Sequence, residues 1–498
     1  MAPALPPPNR ESDVPVSLQS QVRSAIIWRS GSQIVAQTVM WASTFLVIRI
    51  LAPADYGLFA MTQVILVLLN MLNGYGLSSA LIQKPEVTLR DKRQLFGMLV
   101  LLNFGLGGLQ FILAPLAAAY YRQDIVMHLL RVQALLYLAT PFIALPYALL
   151  SRTLDFRKQA KVNFVCSLLS AAAALTGASL GMGVWTLVLA PLVLFFSRGI
   201  GMTIAAKSLM WPSFDFRGSG SMARYGGVMA AGQLFWFFQS QADVFIAGRY
   251  FDPHHLGIYT TSLFLTQIFV SKFVPPLNEV AFSAYARIQH DHDAIARAFA
   301  RAVRIIMVAA MPFYFGLAAV AEPLVLTVLG DKWAETIPVV HLLAFAMPFM
   351  TLQVLFAPAC DARGRPGIAV ENGATGSAVL AIGFLIGVHW GATGLAWAWI
   401  GAYPVYLAIS AWRSLPVIGV SVATILDAIA PPALAAVAMA LAVTLVDDLL
   451  PVMAPHPRLA ILVATGGIVY GAWMLAFARG IVRELIAVVR KQPVEVAA

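Results

Sequence analysis

Charge is what this sequence has least of. Aspartate, glutamate, lysine and arginine make up 11% of its 498 residues, while 60% are hydrophobic. A soluble domain carries about 25% charged residues. So little charge could not hydrate a globule of this size, and a water-soluble fold is excluded. Cysteine is nearly missing too: Cys166 and Cys360 both sit inside apolar blocks. Neither has a histidine or cysteine at ligand spacing, so both read as small packing residues rather than redox or metal groups. The sequence also lacks a glycine-rich phosphate loop, a metal-ligand cluster and a Ser/His/Asp set on a long loop. These absences argue against ATP hydrolysis and against catalysis in general, and no cofactor is expected.

What the chain has instead is apolar blocks of about 20 residues between short polar joints, the pattern of a many-span helical membrane protein. The mean hydropathy of +0.80 fits that class. An all-α polytopic fold of about fourteen transmembrane helices is expected, at 25–51, 57–82, 94–119, 125–150, 162–181, 184–206, 222–250, 256–281, 303–323, 336–359, 367–388, 392–412, 427–447 and 459–478. Gly181 and Gly183 either separate two spans or bend one long hairpin. The proline-rich, polar stretch 1–24 reads as a disordered tail.

Alternate joints are basic: "QKPEVTLRDKRQ", "SRTLDFRKQAK", the segment Lys207–Arg224, "ARIQHDHDAIARAFARAVR", "DARGRPG" and the tail "ARGIVRELIAVVRKQ". The opposite joints offer little beyond Arg122, Lys332 and Arg458. This asymmetry predicts that the basic joints and both termini are cytoplasmic. The net charge of +10 then anchors the inner leaflet. Scattered over many short loops, it does not make a nucleic-acid surface.

Two stretches two hundred positions apart resemble each other: "RILAPADYGLFAM" from Arg49 and "RYFDPHHLGIYTT" from Arg249. Arg49, Pro53 and Gly57 align with Arg249, Pro253 and Gly257, and Gln33 aligns with Gln233. At an offset of 207, "ALLYLATPFIAL" aligns with "HLLAFAMPFMTL". These matches predict an internal duplication: a six-helix lobe at 25–206, a cytoplasmic linker at 207–224 and a second six-helix lobe at 225–412. Two additional spans in 413–478 and a basic cytoplasmic tail at 479–498 complete the chain. Six crossings return the chain to the same side, so the lobes are parallel, related by an axis along the membrane normal with a path between them. Two lobes around a central path suit alternating access.

The same residues carry a family resemblance. "RILAPADYGLFAM", "LNGYGLSSALIQKPEVT", "QADVFIAGRYFDPHHLGIYTTS" and "AEPLVLTVLGDKWAETIPVVHLLAFA" resemble motifs of the Wzx-like polysaccharide repeat-unit flippases, a branch of the multidrug/oligosaccharidyl-lipid/polysaccharide (MOP) exporter superfamily. Length and basic charge suit the members found in xanthan-type exopolysaccharide clusters. The resemblance implies a transporter in the bacterial inner membrane that moves undecaprenyl-pyrophosphate-linked oligosaccharide to the outer leaflet. It also implies partners among membrane lipids and the polysaccharide polymerase and export machinery, and leaves proton or sodium coupling open. A drug/cation antiporter of the same superfamily and a membrane-embedded polymerase or ligase are the competing classes. The first calls for a more acidic and aromatic cavity, the second for a large outer loop.

A sugar–pyrophosphate head group needs a polar, cationic path, and each ionisable group inside a span costs roughly 2.5–3.5 kcal/mol. Arg29, Gln33 and Gln37 share about 80° of a helical wheel with Thr44; Arg29 either joins this cavity stripe or snorkels to the interface. Gln63, Asn70 and Gly74 share a face of the second span. Gln233, Trp236, Gln239, Ser240 and Asp243 form a polar face on the seventh. Asp243 is either a coupling carboxylate or half of a buried ion pair, with Arg249 as one partner considered. Lys272 is expected to lie deep enough to meet phosphate, with Pro275 and Pro276 forming a bend beyond it. Arg131 is a second candidate cation and Glu279 a solvated boundary residue. Arg49, Pro53 and Gly57, with Arg249, Pro253 and Gly257, are assigned to an outer gate or turn.

Overall fold

A computed structural model describes residues 37–73, 77–78, 81–82, 86–153, 155–216 and 234–489. Arg29, Gln33, Gly74 and Gln233 lie outside the described residues, and no strand occurs within them. The helices are α1 (37–50), α2 (Pro53–Met71), α3 (Leu89–Tyr121), α4 (Asp124–Arg152, interrupted twice), α5 (Phe156–Ser179) and α6 (Val184–Ala206). They continue with α7 (Leu234–Tyr250), α8 (Pro253–Lys272), α9 (Val274–Arg287), α10 (His292–Ala319), α11 (Ala321–Val328) and α12 (Thr336–Ala362, interrupted at Leu355). The chain ends with α13 (Gly367–Gly387), α14 (Gly391–Ile418), α15 (Val422–Leu449), α16 (Pro455–Phe477) and α17 (Arg479–Val489). Among the described residues, ten helical stretches are long and apolar enough to cross a membrane, one of them, Gly367–Ile418, comprising both α13 and α14. The chain is therefore a multi-pass, all-helical membrane protein. Three more helices, α1, α7 and α8, fall where the apolar pattern places spans one, seven and eight.

The first half packs α3 on α4, α4 on α6 and α5 on α6. The second packs α10 on α12, α12 on α14 and α13 on α14, in the same order. Helices α15 and α16 pack on each other and against α10 and α11. The halves meet chiefly where α2 crosses α8 and where α2 meets α7. Between α5 and α6 the chain reverses through Gly181 (φ 72°) and Gly183 (φ 55°), a left-handed region open to glycine. The two glycines thus separate two spans.

Two boundaries differ from those read off hydropathy. Helix α2 stops at Met71 rather than near 82, just before Asn73, and residues 77–78 and 81–82 beyond it are again helical. The Asn103 amide on α3 donates to the freed Asn73 carbonyl at 3.0 Å. The span expected at 256–281 is likewise two helices. Prolines lack an N–H and clash with the preceding turn, so a proline pair is best placed in the first turn of a helix. Helix α8 ends at Lys272, Phe273 is the joint, and the proline pair opens α9.

Candidate functional site

The seam between the halves is built around the two repeated motifs. Pro53 and Pro253 each occupy the first turn of their helix, α2 and α8. One turn on, Gly57 and Gly257 face each other's helix. A Cβ on Gly57 would strike the Pro253 carbonyl, and a Cβ on Gly257 would strike the Pro53 carbonyl. Each glycine is therefore needed for backbone approach, and each approaches the proline of the other motif.

Around this crossing, side chains from one half cap helix ends of the other. The last carbonyls of a helix have no intrahelical partner and favour cationic or N–H donors. Arg49 donates to the Thr327 carbonyl at the end of α11 (2.8 Å). Arg249 donates to the Tyr120 carbonyl at the end of α3 (2.7 Å) and lies over the Tyr120 ring, which stacks on Phe245. In the same sense as Arg249, from the second half to the first, Lys332 donates to the Ile50 carbonyl (2.6 Å) and Trp333 Nε1 to the Ile48 carbonyl (2.9 Å), both at the end of α1. Trp333 is fully buried, edge-on to Tyr56. Partial burial holds the Lys332 ammonium below the ordinary lysine range, against the opposing pull of Asp55. Four donors thus clamp one end of the seam shut, and the sequence alone had assigned no capping task to Lys332 or Trp333.

Further along the seam a cavity of about 730 Å³ opens between α1, α2, α5, α6, α7 and α8, a size typical of ligand pockets. Its lining is mostly apolar, with Val47, Phe59, Leu187, Leu194 and Phe264 among the side chains, and its polar groups are Gln63, Gln241 and Gln267 with Ser43, Thr44, Tyr56, Ser170, Thr186, Thr260 and Thr261. No charged side chain lines it among the described residues. Of the expected cavity residues, Gln63 is in the wall; Gln37, Asn70, Gln239 and Lys272 are not. Lys272 is exposed at the break between α8 and α9, and Glu279 is exposed on α9. Arg131 lies over the Phe111 ring, 4.6 Å from its centroid.

The polar face expected on α7 turns into the second half instead. Gln239 donates to the Tyr406 hydroxyl (3.2 Å), which also accepts from Gln353 (2.7 Å). Asp243 is buried and accepts from the Tyr259 hydroxyl at 2.7 Å, while Trp399 Nε1 donates to that hydroxyl at 2.8 Å. Arg249 reaches Tyr120, not Asp243, so the partner of this carboxylate is a phenol rather than an arginine. The second oxygen, Asp243 Oδ1, has no hydrogen-bond partner among the described residues. An amphipathic wheel identifies a polar face; it does not say whether water or a tyrosine meets it. The face of α7 toward the cavity carries Gln241 and Val244, which the wheel passed over. No metal-ligating cluster of His, Cys, Asp and Glu occurs among the described residues.

With this geometry in place, comparison with known proteins is informative. The chain is 23% identical over 460 residues to the teichuronic acid biosynthesis protein TuaB of Bacillus subtilis, covering 91% of this chain and 95% of the relative. It is 26% identical over 322 residues to the succinoglycan biosynthesis transport protein ExoT of Rhizobium meliloti, covering 64% and 65%. Its fold is that of the lipid II flippase MurJ in an inward closed conformation, with a TM-score of 0.75 at 13% identity, covering 92% of this chain and 100% of that one. A family profile described as polysaccharide biosynthesis protein matches residues 46–338, more than half of the chain, across the clamp and the cavity alike. The chain belongs to the polysaccharide biosynthesis protein family.

Proposed function

We propose that this protein is a flippase that moves an undecaprenyl-pyrophosphate-linked oligosaccharide from the inner to the outer leaflet of the bacterial inner membrane. The observation that carries the reading is the seam: a largely apolar cavity that also presents glutamines and hydroxyls, closed at one end by caps that run in both directions between the halves. Neutral amides and hydroxyls suit sugar hydroxyls, which both donate and accept. The similar proteins, one in teichuronic acid biosynthesis, one in succinoglycan biosynthesis transport and one a lipid II flippase, point the same way.

The architecture we propose has fourteen spans, with lobes at 25–206 and 225–412 related by a parallel repeat, and two added helices. The reciprocal Gly57/Pro253 and Gly257/Pro53 approaches support the repeat, as does the matched packing order of the halves. With both termini cytoplasmic, the clamp closes the periplasmic end. Opening outward then requires Arg49, Arg249, Lys332 and Trp333 to release their carbonyls as the lobes rock. An outward-moving pyrophosphate with about two negative charges gains roughly 2.3 kcal/mol per charge per 100 mV when the interior is negative. Asp243, buried with one open oxygen, is the proposed site at which a proton or sodium ion is exchanged during the return. We further propose that polymerase and export machinery receive the product.

The test is to delete the gene and locate the lipid-linked oligosaccharide. Accumulation in the inner leaflet is expected; a normal outer-leaflet pool that fails to polymerise would instead assign the polymerase class.

A further inference from the structure

A second polar cavity lies at the opposite end of α10 from the clamp, sharing no wall residue with the seam. It has a volume of about 670 Å³ and is bounded by the start of α10, the α14–α15 joint and α17. Three arginines on one face of α10, Arg297, Arg301 and Arg304, point cationic groups at it. They face Glu484, the sole acidic residue of α17, whose Oε2 accepts a hydrogen bond from Arg304 Nη1 (3.3 Å) and whose Oε1 lies 2.7 Å from Arg301 Nε as an ion pair without hydrogen-bond geometry. This is how a planar carboxylate, or two oxygens of a phosphate, sits between guanidinium groups.

Two observations show that Glu484 leaves the site unsatisfied. Arg301 Nη2 is buried with no acceptor among the described residues. Arg297, exposed in the same wall, makes no hydrogen bond or ion pair among them. Asp293 is the other acid present, so cations outnumber acids three to two. A third anionic oxygen fits this arrangement better than a carboxylate does. Helix α17 carries basic residues at Arg479 and Arg483 and packs Ile481 and Val482 against α15 and α16, as a helix lying along a membrane surface does. Basic pockets between helices at the cytoplasmic boundary suit lipid phosphates.

We propose that this pocket binds a phosphate ester, with the Glu484 carboxylate standing in its place until the phosphate displaces it. The head group of an anionic phospholipid and a soluble phosphate share that chemistry. The test is native mass spectrometry of the purified full chain with dioctanoyl phosphatidylglycerol, dioctanoyl phosphatidylcholine or inorganic phosphate. Phosphatidylglycerol is expected to bind more tightly than phosphatidylcholine. Arg297→Ala, which breaks no hydrogen bond or ion pair among the described residues, should weaken it about fivefold, and Glu484→Gln should tighten it by removing the competing negative charge. Arg297-dependent binding of inorganic phosphate alone would assign the pocket to a soluble ligand and keep the proposal. Phosphatidylglycerol affinity unchanged by both substitutions, or weakened by Glu484→Gln, would overturn it. The readout is binding, so the result is independent of whether the protein transports.

Discussion

Asp243 is the residue at which the account is most exposed to test, because burial of a carboxyl within an apolar bundle needs a partner. Its partner is the Tyr259 hydroxyl, itself held by Trp399. An asparagine can still accept from that hydroxyl but cannot carry charge. Asp243→Asn is therefore expected to accumulate normally and to transport poorly at every external pH, with abundance and transport measured side by side. Tyr259→Phe removes the shared hydroxyl and strands both the carboxylate oxygen and the Trp399 N–H. Each orphaned group costs about 1–3 kcal/mol, so this variant should fall in abundance as well. Full transport by Asp243→Asn would remove the coupling role. The oddness of an aspartate far from either end of a span was legible in the sequence. Its partners were not, since Tyr259 and Trp399 lie on other helices and only packing joins them. Gln239 teaches the same lesson: its polar face is plain on a wheel, but the tyrosine that meets it comes from α14.

Helices α2 and α8 open within the strongest sequence signal, the matched proline and glycine that follow Arg49 at the end of α1 and Arg249 at the end of α7. The alignment says that Gly57 and Gly257 are equivalent; it does not say that equivalent residues touch, and here each faces the other motif's proline carbonyl. Backbone cannot yield as a side-chain tip does, so Gly57→Ala or Gly257→Ala should cost about 1–3 kcal/mol as overpacking. The double variant should cost less than the sum, because either methyl already separates the helices. Thermal unfolding of the purified variants measures this, and strict additivity would contradict the crossing. Hydropathy failed where it ignores backbone chemistry. It carried the second span past Met71 and the eighth through Pro275–Pro276, whereas α2 ends at Met71 and α8 at Lys272.

At the scale of the molecule, scarce charge and long apolar blocks were enough to predict an all-helical, multi-pass protein, because a bilayer leaves the backbone few ways to satisfy its own polar groups. The path between the halves was harder to read. Its wall is assembled from six helices and is mostly apolar, with a minority of amides and hydroxyls, residues too common for sequence to single out. A cationic lining was expected, and the described wall is neutral. On the proposed function, the cavity's amides and hydroxyls would meet the sugars, and groups outside that wall, such as the exposed Lys272, would meet the pyrophosphate. The central claim is that this chain alone moves a lipid-linked oligosaccharide between leaflets. Purified protein should be reconstituted into vesicles holding that lipid, and the fraction accessible to an external sugar-cleaving enzyme followed over time. The account predicts that all of the lipid becomes accessible with wild type, and only the outer-leaflet share with Asp243→Asn or with empty vesicles. An accessible fraction that is the same with wild-type protein and with empty vesicles would contradict it.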